Sequence, residues 1–445
     1  MAGTGTDRWR NWAGNQAADG VTVVEARGTE EIVAAVELAV REGKRVKPIG
    51  SGHSFTAIGR PEGVQLSLDR HDGLLRLDAD AGLVTVQAGM PLHRLNEILA
   101  HSGFSMTNLG DIDRQTVAGA TSTGTHGTGA RFGGLASQIR GLELVTADGG
   151  VLTCSAAENA DVFRVARVGL GALGVISAVT LQVEPAFALR SQESSMPLEE
   201  VLGRFDELAD GTDHFEFFWF PHTGSTLTKQ NARVPLDAGL EPLPALRAWW
   251  EDEFLSNTLF RGTVGIGRRV PALVPAINRV SARALGARTY TDRSHKVFIS
   301  SRRVRFTEME YAVPRAAAVD LVRGVRRAVE RNGWRIAFPI EVRVAAADDI
   351  PLSTASGRDT AYVAVHQPVG VDPEPYFRAV EELAADLDGR PHWGKLHWLG
   401  AADVRKRYPE LDAFLAVRDR LDPEGRFANA YLDRVLGPAP GLRTV

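Results

Sequence analysis

Apolar and polar positions alternate in short runs up to about residue 184, and glycine-rich turns separate the runs. "GVTVVEAR" predicts a strand. In "TEEIVAAVELAVREGKRVKPIG" the apolar residues recur every three to four positions. This predicts an amphipathic helix capped by Thr29 and stopped near Gly43, followed by a strand. "LLRLDADAGLVTVQAGM" reads as strand, D-A-G turn, strand, and "PLHRLNEILAHSG" as a helix with Pro91 near its start and Gly103 at its end. "IRGLELVTADGGVLTCS" predicts a hairpin turning at Asp148-Gly149, and "GVISAVTLQVEP" a strand closed by Pro185. The pattern is that of an α+β domain with mixed sheets.

From about residue 186 the texture changes. "LRSQESSMPLEEVLGRFDELADGTDHFEFFWFP" predicts a strand, a helix and an aromatic strand, while 235–295 is rich in Pro, Trp and Arg and less periodic. Strand returns in "KVFISSRRVRFTEMEYAVP", then a helix in "AAAVDLVRGVRRAVERNG" and an alternating strand in "WRIAFPIEVRVAA". "TAYVAVHQP" adds a strand and "PEPYFRAVEELAADLDG" a helix. This order suggests an antiparallel sheet with helices on one face.

Length and charge narrow the function classes. The 445 residues exceed a usual single core, so two domains are expected. With 55 acidic and 51 basic residues the net charge is -4, which gives no footprint for nucleic acid or an anionic membrane. The single Cys154 rules out an internal disulfide and sites built on several thiolates. No apolar run has signal-peptide or membrane-spanning length, so a soluble cytoplasmic protein without stable membrane insertion is expected.

Three glycine-rich runs carry the candidate chemistry. "GLGALG", Gly169 to Gly174, matches a dinucleotide fingerprint, but β-branched alternation follows it where a helix should open. A nicotinamide-binding unit is therefore not expected, and a tight turn near a ligand keeps the glycines meaningful. "NLGDIDRQTVAGATSTGTHGTGARFGG" offers hydroxyls and close amides with little bulk, a surface suited to a diphosphate. "KPIGSGHSFTAIG" is a small-residue cradle with one odd member, His53.

Together "IGSGHSFT", "TVAGATSTGTHGTG", "GALGVIS", "FPIEVRV" and "RPHWGK" resemble the aldonolactone oxidoreductases of the vanillyl-alcohol-oxidase flavoprotein superfamily, in the same order and over nearly the whole chain. The resemblance implies an FAD-binding domain of two α+β subdomains over 1–184. A substrate-binding cap with an antiparallel sheet would span 185–403, and 404–445 would return to the FAD domain. It implies FAD bonded covalently through His53. Cofactor contacts would come from Pro48, Ile49, Gly50, Ser51, Gly52, His53 and Ser54, from Thr116, Gly119, Thr123, Gly124, Thr125 and His126, and from Gly171, Gly174, Val175 and Ile176, with Gly110 and Asp111 close to the flavin.

In the cap, alternation puts Glu341 and Arg343 on one strand face and Ile340, Val342 and Val344 on the other. The resemblance makes that pair and Lys395 catalytic, with Asp111 and His366 beside the substrate. A hydroxyl proton would leave with help from Lys395 or Arg343, and hydride would pass to flavin N5. Arg343 would stabilise alkoxide charge and Glu341 would orient a hydroxyl. His392 and His397 make a poor metal site, so no metal is expected.

The substrate implied is a sugar lactone such as L-gulono-1,4-lactone. Alternatives are an alditol oxidase acting on xylitol- or sorbitol-type polyols and a flavin-tethered carbohydrate binder without turnover. Asp111 stands where alditol oxidases carry serine, which favours the lactone. The acceptor would be oxygen, a quinone or a cytochrome. Gly110 leaves the steric approach open to oxygen, while the Asp111 charge opposes developing superoxide. Measurable oxidase activity with faster turnover on quinone or dye acceptors is the expectation. Nothing in the sequence fixes an oligomeric state.

Overall fold

The computed structural model describes residues 5–248, 260–284, 286–300 and 304–442. Part of the aperiodic 235–295 stretch and of "KVFISSRRVRF" therefore lies outside the described residues.

A four-stranded sheet has the order Gly5–Arg10, Ala17–Glu25, Val64–Ser67, Val46–Ile49. Its last three strands are parallel, because the helix Thr29–Arg41 carries the chain between two of them and buries Ile32, Ala35, Val36 and Ala39 on the sheet. Gly28, not Thr29, is the N-cap. The Thr29 hydroxyl is drawn away to Glu143, 3.0 Å off, and the Glu31 carboxylate closes the turn by accepting from Arg27 N at 2.8 Å. A five-stranded antiparallel sheet follows, ordered Leu74–Asp78, Leu83–Gln87, Val175–Gln182, Ile139–Val145, Val151–Ser155. The turns at Gly82 and Gly149 have φ of 63° and 82°, the left-handed region in which glycine is at least cost.

The third sheet is antiparallel and eight-stranded: Arg288–Arg293, Phe187–Pro197, Ser225–Pro235, His214–Trp219, Ile340–Ala345, Thr360–Pro368, Phe306–Pro314, Arg390–Pro391. Phe215, Phe217, Trp219, Ile340, Val342, Val344, Val363, Val365, Met309 and Tyr311 pack with apolar residues of the helices Leu198–Gly203, Phe205–Asp210, Ala318–Asn332 and Glu374–Ala385. In an antiparallel sheet, residues directly opposite share a face. The other face therefore aligns Glu216, Arg343 and Tyr362 in one row, Glu341, Ala364 and Glu310 in the next, and His366 and Glu308 in a third.

Several elements differ from the pattern reading. The helix predicted after the strand at 187–197 is two short ones. Ser225–Pro235 is a strand that the pattern did not predict. Its buried positions include Thr226, Thr228 and Asn231, and the two threonine hydroxyls donate to Met196 O at 2.9 Å and Ser194 O at 3.0 Å, so hydrogen bonding replaces hydrophobicity. Ser294–Phe298 is a helix rather than strand, and the strand expected from Trp334 begins at Ile340.

Tyr408, Phe414, Phe427 and Tyr431 join the same core as Val36, Val46 and Leu66. Asn429 caps the helix Ala430–Leu436, and its amide donates to Ala57 O at 2.9 Å and Arg60 O at 3.0 Å.

Candidate active site

The strand Val46–Ile49 runs into the turn 50–55 at the wall of a cleft. Of the sequence-derived cofactor residues, Pro48, Ile49, Gly50, Ser51, Gly52, His53, Ser54, Thr116, Gly119, Thr123, Gly171, Gly174 and Ile176 line it. Gly110, Asp111, Gly124, Thr125, His126 and Val175 are not among its lining residues.

Thr116 builds one wall. Its Oγ1 accepts from Gly119 N at 3.2 Å and caps the short helix Val117–Ser122, set in a run that sequence composition suggested only as a ligand loop. A Cβ at Gly50 would stand 2.5 Å from that oxygen. Backbone amides, hydroxyls and minimal bulk are what a diphosphate needs. The donor set fits the flavin dinucleotide that the sequence resemblance implies.

Trp9, Lys47, Gln115 and Leu170 also line the cleft and were not foreseen. Lys47 is buried on a strand, and its Nζ donates to Phe427 O at 3.0 Å and Gly171 O at 3.3 Å. Burial pushes its ammonium down to about 7.

His53 stacks on Trp12, with ring centroids 5.8 Å apart. Burial, and then Lys395 and Arg114, push the imidazole down to about 4, so it is neutral at neutral pH. Phe55 N donates to Gly394 O at 2.7 Å and Thr56 Oγ1 to Trp393 O at 2.8 Å. These bonds clamp the His53 turn to the turn that carries Lys395.

Beyond His53 lies the polar face of the eight-stranded sheet. Glu341 and Arg343 are buried there and paired through Arg343 Nη2. Arg343 Nε bonds Glu216 at 2.8 Å, and Nη2 lies 3.5 Å from Asp111. Burial works against the guanidinium charge, but Glu341, Asp111 and Glu216 outweigh it and hold the pKa well above its ordinary value. Lys395 Nζ pairs with Glu308, whose other oxygen lies 3.5 Å from His366 Nε2. Burial alone would lower Lys395 and raise Glu308; their mutual attraction reverses both, so the ammonium stays charged and the carboxyl ionised.

His126 belongs to this face rather than to the cleft. Its ring stacks on Tyr362 with centroids 3.5 Å apart, and Nε2 bonds Glu310 at 2.7 Å. His392 completes a buried His126–Glu310–His392 cluster whose candidate ligand atoms lie within 4.8 Å of one another. Burial works against the Glu310 charge, but His126, bonded to it, and then Lys395 outweigh it and hold the carboxyl well below its ordinary value. His397 turns elsewhere, with Nε2 2.7 Å from Tyr431 Oη. Glu216, Glu308 and Glu310 were missed in the sequence: Glu216 is a lone acid in an aromatic strand, Glu308 and Glu310 share one face of the strand Phe306–Pro314, and cross-strand register sets them beside Arg343, Glu341 and His366.

Buried histidines set an acid limit on stability. Burial pushes His53, His214 and His392 down to about 4 and His397 to about 3. Their ordinary value is 6.5, so protonation favours the unfolded chain. Their stabilisation is complete above about pH 6.5 and is lost as pH falls toward about 4. Melting temperature should drop steadily over that window; a flat profile would mean the rings are not buried as neutral groups.

Comparison with known proteins gives two family matches. Residues 179–435 match the family described as D-arabinono-1,4-lactone oxidase, and residues 21–155 match the FAD binding domain. The chain is 45% identical over 430 residues to an L-gulono-1,4-lactone dehydrogenase of Mycobacterium tuberculosis (strain ATCC 25618 / H37Rv), covering 97% of this chain and 99% of that one. It is 34% identical over 436 residues to an L-gulonolactone oxidase of Bos taurus, covering 96% and 98%. Its fold is similar to that of cholesterol oxidase from Brevibacterium sterolicum, with TM-score 0.82 at 18% identity over 98% of this chain and 97% of that one.

Proposed function

The chain belongs to the D-arabinono-1,4-lactone oxidase family, and from that premise we propose that it oxidises an aldonolactone, L-gulono-1,4-lactone or a close analogue, at a ring hydroxyl. The observation that carries this reading is the buried Glu341–Arg343 pair, set with Lys395 on one polar sheet face beside the His53 turn.

The proposal assigns cofactor binding to the cleft. Pro48, Gly50, Ser51, Gly52, Ser54, Thr116, Gly119 and Thr123 would hold the diphosphate side of FAD, and Gly171, Gly174 and Ile176 the adenine side. FAD, when bound, supplies a two-electron acceptor for the hydrogen leaving the substrate carbon. Carboxylate partners favour the charged forms of Arg343 and Lys395, which would stabilise alkoxide charge as cations. Glu341 accepts from the reacting hydroxyl, orients it and takes its proton. His366, fixed between Pro339 O at 3.3 Å and Glu308, borders the substrate.

The same reading takes 1–184 as the FAD-binding domain, 185–403 as the cap and 404–445 as the segment returning to the FAD domain. The packing of Tyr408, Phe414 and Tyr431 with Val36 and Leu66 supports the last assignment. Among the described residues no helix is long and apolar enough to cross a membrane, and we place the protein in the cytoplasm.

For the acceptor, we propose oxygen reactivity with faster turnover on quinones or dyes. Gly110 lies close to the loop beneath it, since a Cβ there would meet His126 O at 3.2 Å. The Asp111 charge is offset by Arg343 at 3.5 Å, which weakens its repulsion of superoxide.

Anaerobic mixing with L-gulono-1,4-lactone should bleach the flavin absorbance, and air should then restore it faster than it reoxidises free reduced flavin. An unchanged spectrum on mixing would overturn the substrate reading; slow return in air would make the protein a dehydrogenase.

A further inference from the structure

Lys47 is a buried amine that the oxidation step does not use. It is 3% exposed and stands directly before the small-residue turn, where it lines the cleft with Gly50, Thr116 and Gly171. Its Nζ bridges two segments distant in the chain. It donates to Gly171 O at 3.3 Å, in the "GLGALG" turn, and to Phe427 O at 3.0 Å. Val46 N strengthens the second link by donating to Arg426 O at 2.8 Å.

Both partners of the amine are neutral carbonyls, and the charged groups that face it are engaged elsewhere. Arg45 pairs with Glu62 at 3.0 Å and with Asp433 at 2.8 Å. Asp422 accepts from Arg426 N at 2.7 Å and from Phe427 N at 2.8 Å. The turn Gly169–Gly174 brings no charged side chain. Among the described residues, Lys47 therefore bonds two carbonyls and pairs with no carboxylate. Burial outweighs the attraction of Asp422, Glu62 and Asp433 and leaves the ammonium near 7. Two carbonyls fix two of the tetrahedral positions on Nζ. The third is a lone pair when the amine is neutral and an N–H when it is charged. The amides and hydroxyls of the same cleft suit a diphosphate, and an anion there would supply the charge the amine lacks, in a place where low dielectric strengthens the attraction.

We propose that Lys47 receives the diphosphate of the dinucleotide, and that its Nζ takes up a proton from solvent as the cofactor enters the cleft. The proton bonds to the amine lone pair, and no other bond forms or breaks. The two carbonyls hold the amine in place for this, so one ammonium ties the cofactor to the "GLGALG" turn and to Phe427 together. The proposal rests on the reading of the cleft as the FAD site.

The test uses the His53→Ala protein stripped of flavin as the carrier, so that FAD binds reversibly and the imidazole does not titrate. Calorimetric titration at about pH 8, in buffers of different ionisation enthalpy, counts the protons. FAD should bring in about one proton per site. ADP-ribose, which carries the diphosphate without the flavin, should do the same, and riboflavin should bring none. The amine has its lower pKa without the anion, so FAD affinity should be full below about 7 and fall by up to tenfold per pH unit above it. Lys47→Met keeps the apolar stem and removes the amine. It should abolish the uptake, flatten the pH profile and weaken FAD tenfold or more at about pH 6.5. Lys47→Arg is charged throughout and should bind FAD with neither uptake nor slope. FAD binding to the carrier without proton uptake would overturn the proposal, as would equal uptake with riboflavin or unchanged uptake in Lys47→Met. A merely structural lysine gives one of those results. Failure of FAD to bind the carrier at any pH would instead overturn the cofactor reading, and the proposal with it. The carrier's own proton count decides the matter even if neither variant at Lys47 folds.

Discussion

Arg343→Ala should slow anaerobic flavin reduction by the lactone about 10²-fold or more, the loss typical of one donor to a developing oxyanion. The effect is expected in the limiting reduction rate more than in flavin retention, because Arg343 lies on the eight-stranded sheet and is not among the residues lining the cleft. Alanine also leaves Glu216, Glu341 and Asp111 crowded without their shared cation, and losing one partner of a buried pair costs about 3–5 kcal/mol. Lower stability therefore accompanies the rate loss and must be separated from it. Arg343→Lys keeps the charge but loses the forked geometry, so it should fold better and still reduce slowly. Glu341→Gln keeps the shape and removes the proton acceptor, and should also lose about 10²-fold or more at a general-base position. Stopped-flow reduction at saturating lactone reads both. Rates equal to wild type in Glu341→Gln and Arg343→Lys would show the pair to be structural.

How far the sequence led differs between the two halves of the site. The cradle of small residues was legible because a backbone-built wall has a compositional signature: Gly50, Gly52, Thr116 and Gly119 line the cleft that their runs suggested. The Glu341–Arg343 pair was legible because period-two alternation needs only one strand, and the structure places both on one buried face. Their partners were not legible. Glu216 meets Arg343 through hydrogen-bonded register between strands distant in the chain, and no local pattern encodes register; alternation puts Glu308 and Glu310 on one face of their strand, but their partners Lys395 and His126 come from turns far away in the chain. His126 shows the same limit. It sits in a glycine-rich run that reads as a cofactor loop, yet its ring stacks on Tyr362 and bonds Glu310 of the third sheet. The strand Ser225–Pro235 escaped because its buried threonines are satisfied by cross-strand carbonyls, which erases the hydrophobic alternation. Lys47 escaped for the converse reason: a lysine on a strand reads as solvent-facing, and here two carbonyls hold it inside.

We propose that FAD is tethered covalently to His53, so His53→Ala should abolish the attachment while leaving FAD bound. Bond formation at a methyl carbon of the flavin would need a ring nitrogen with a free lone pair, loss of one methyl proton and of the imidazole N–H proton, and two electrons taken up by the oxidised flavin itself and passed on to its acceptor; burial provides the nitrogen by keeping the imidazole neutral, its pKa down near 4. Position supports the same role. His53 lines the cleft at the end of a turn clamped to residues 393 and 394, and Lys395 adds positive charge beside it. The variant loses the contact with Trp12, worth ~0.5–1.5 kcal/mol for stacked aromatic rings, which is a tolerable cost for a half-buried turn residue. The other cleft residues remain, so flavin content before denaturation should stay close to wild type. Acid-precipitated wild type should be yellow and fluorescent in a denaturing gel, and acid-precipitated His53→Ala colourless with its FAD in the supernatant. A colourless precipitate from flavin-loaded wild type would end the claim. Attachment through nitrogen also withdraws electron density from the ring system, so the variant should show a lower flavin reduction potential and slower reduction by lactone. A tether that served retention alone would leave that potential unchanged.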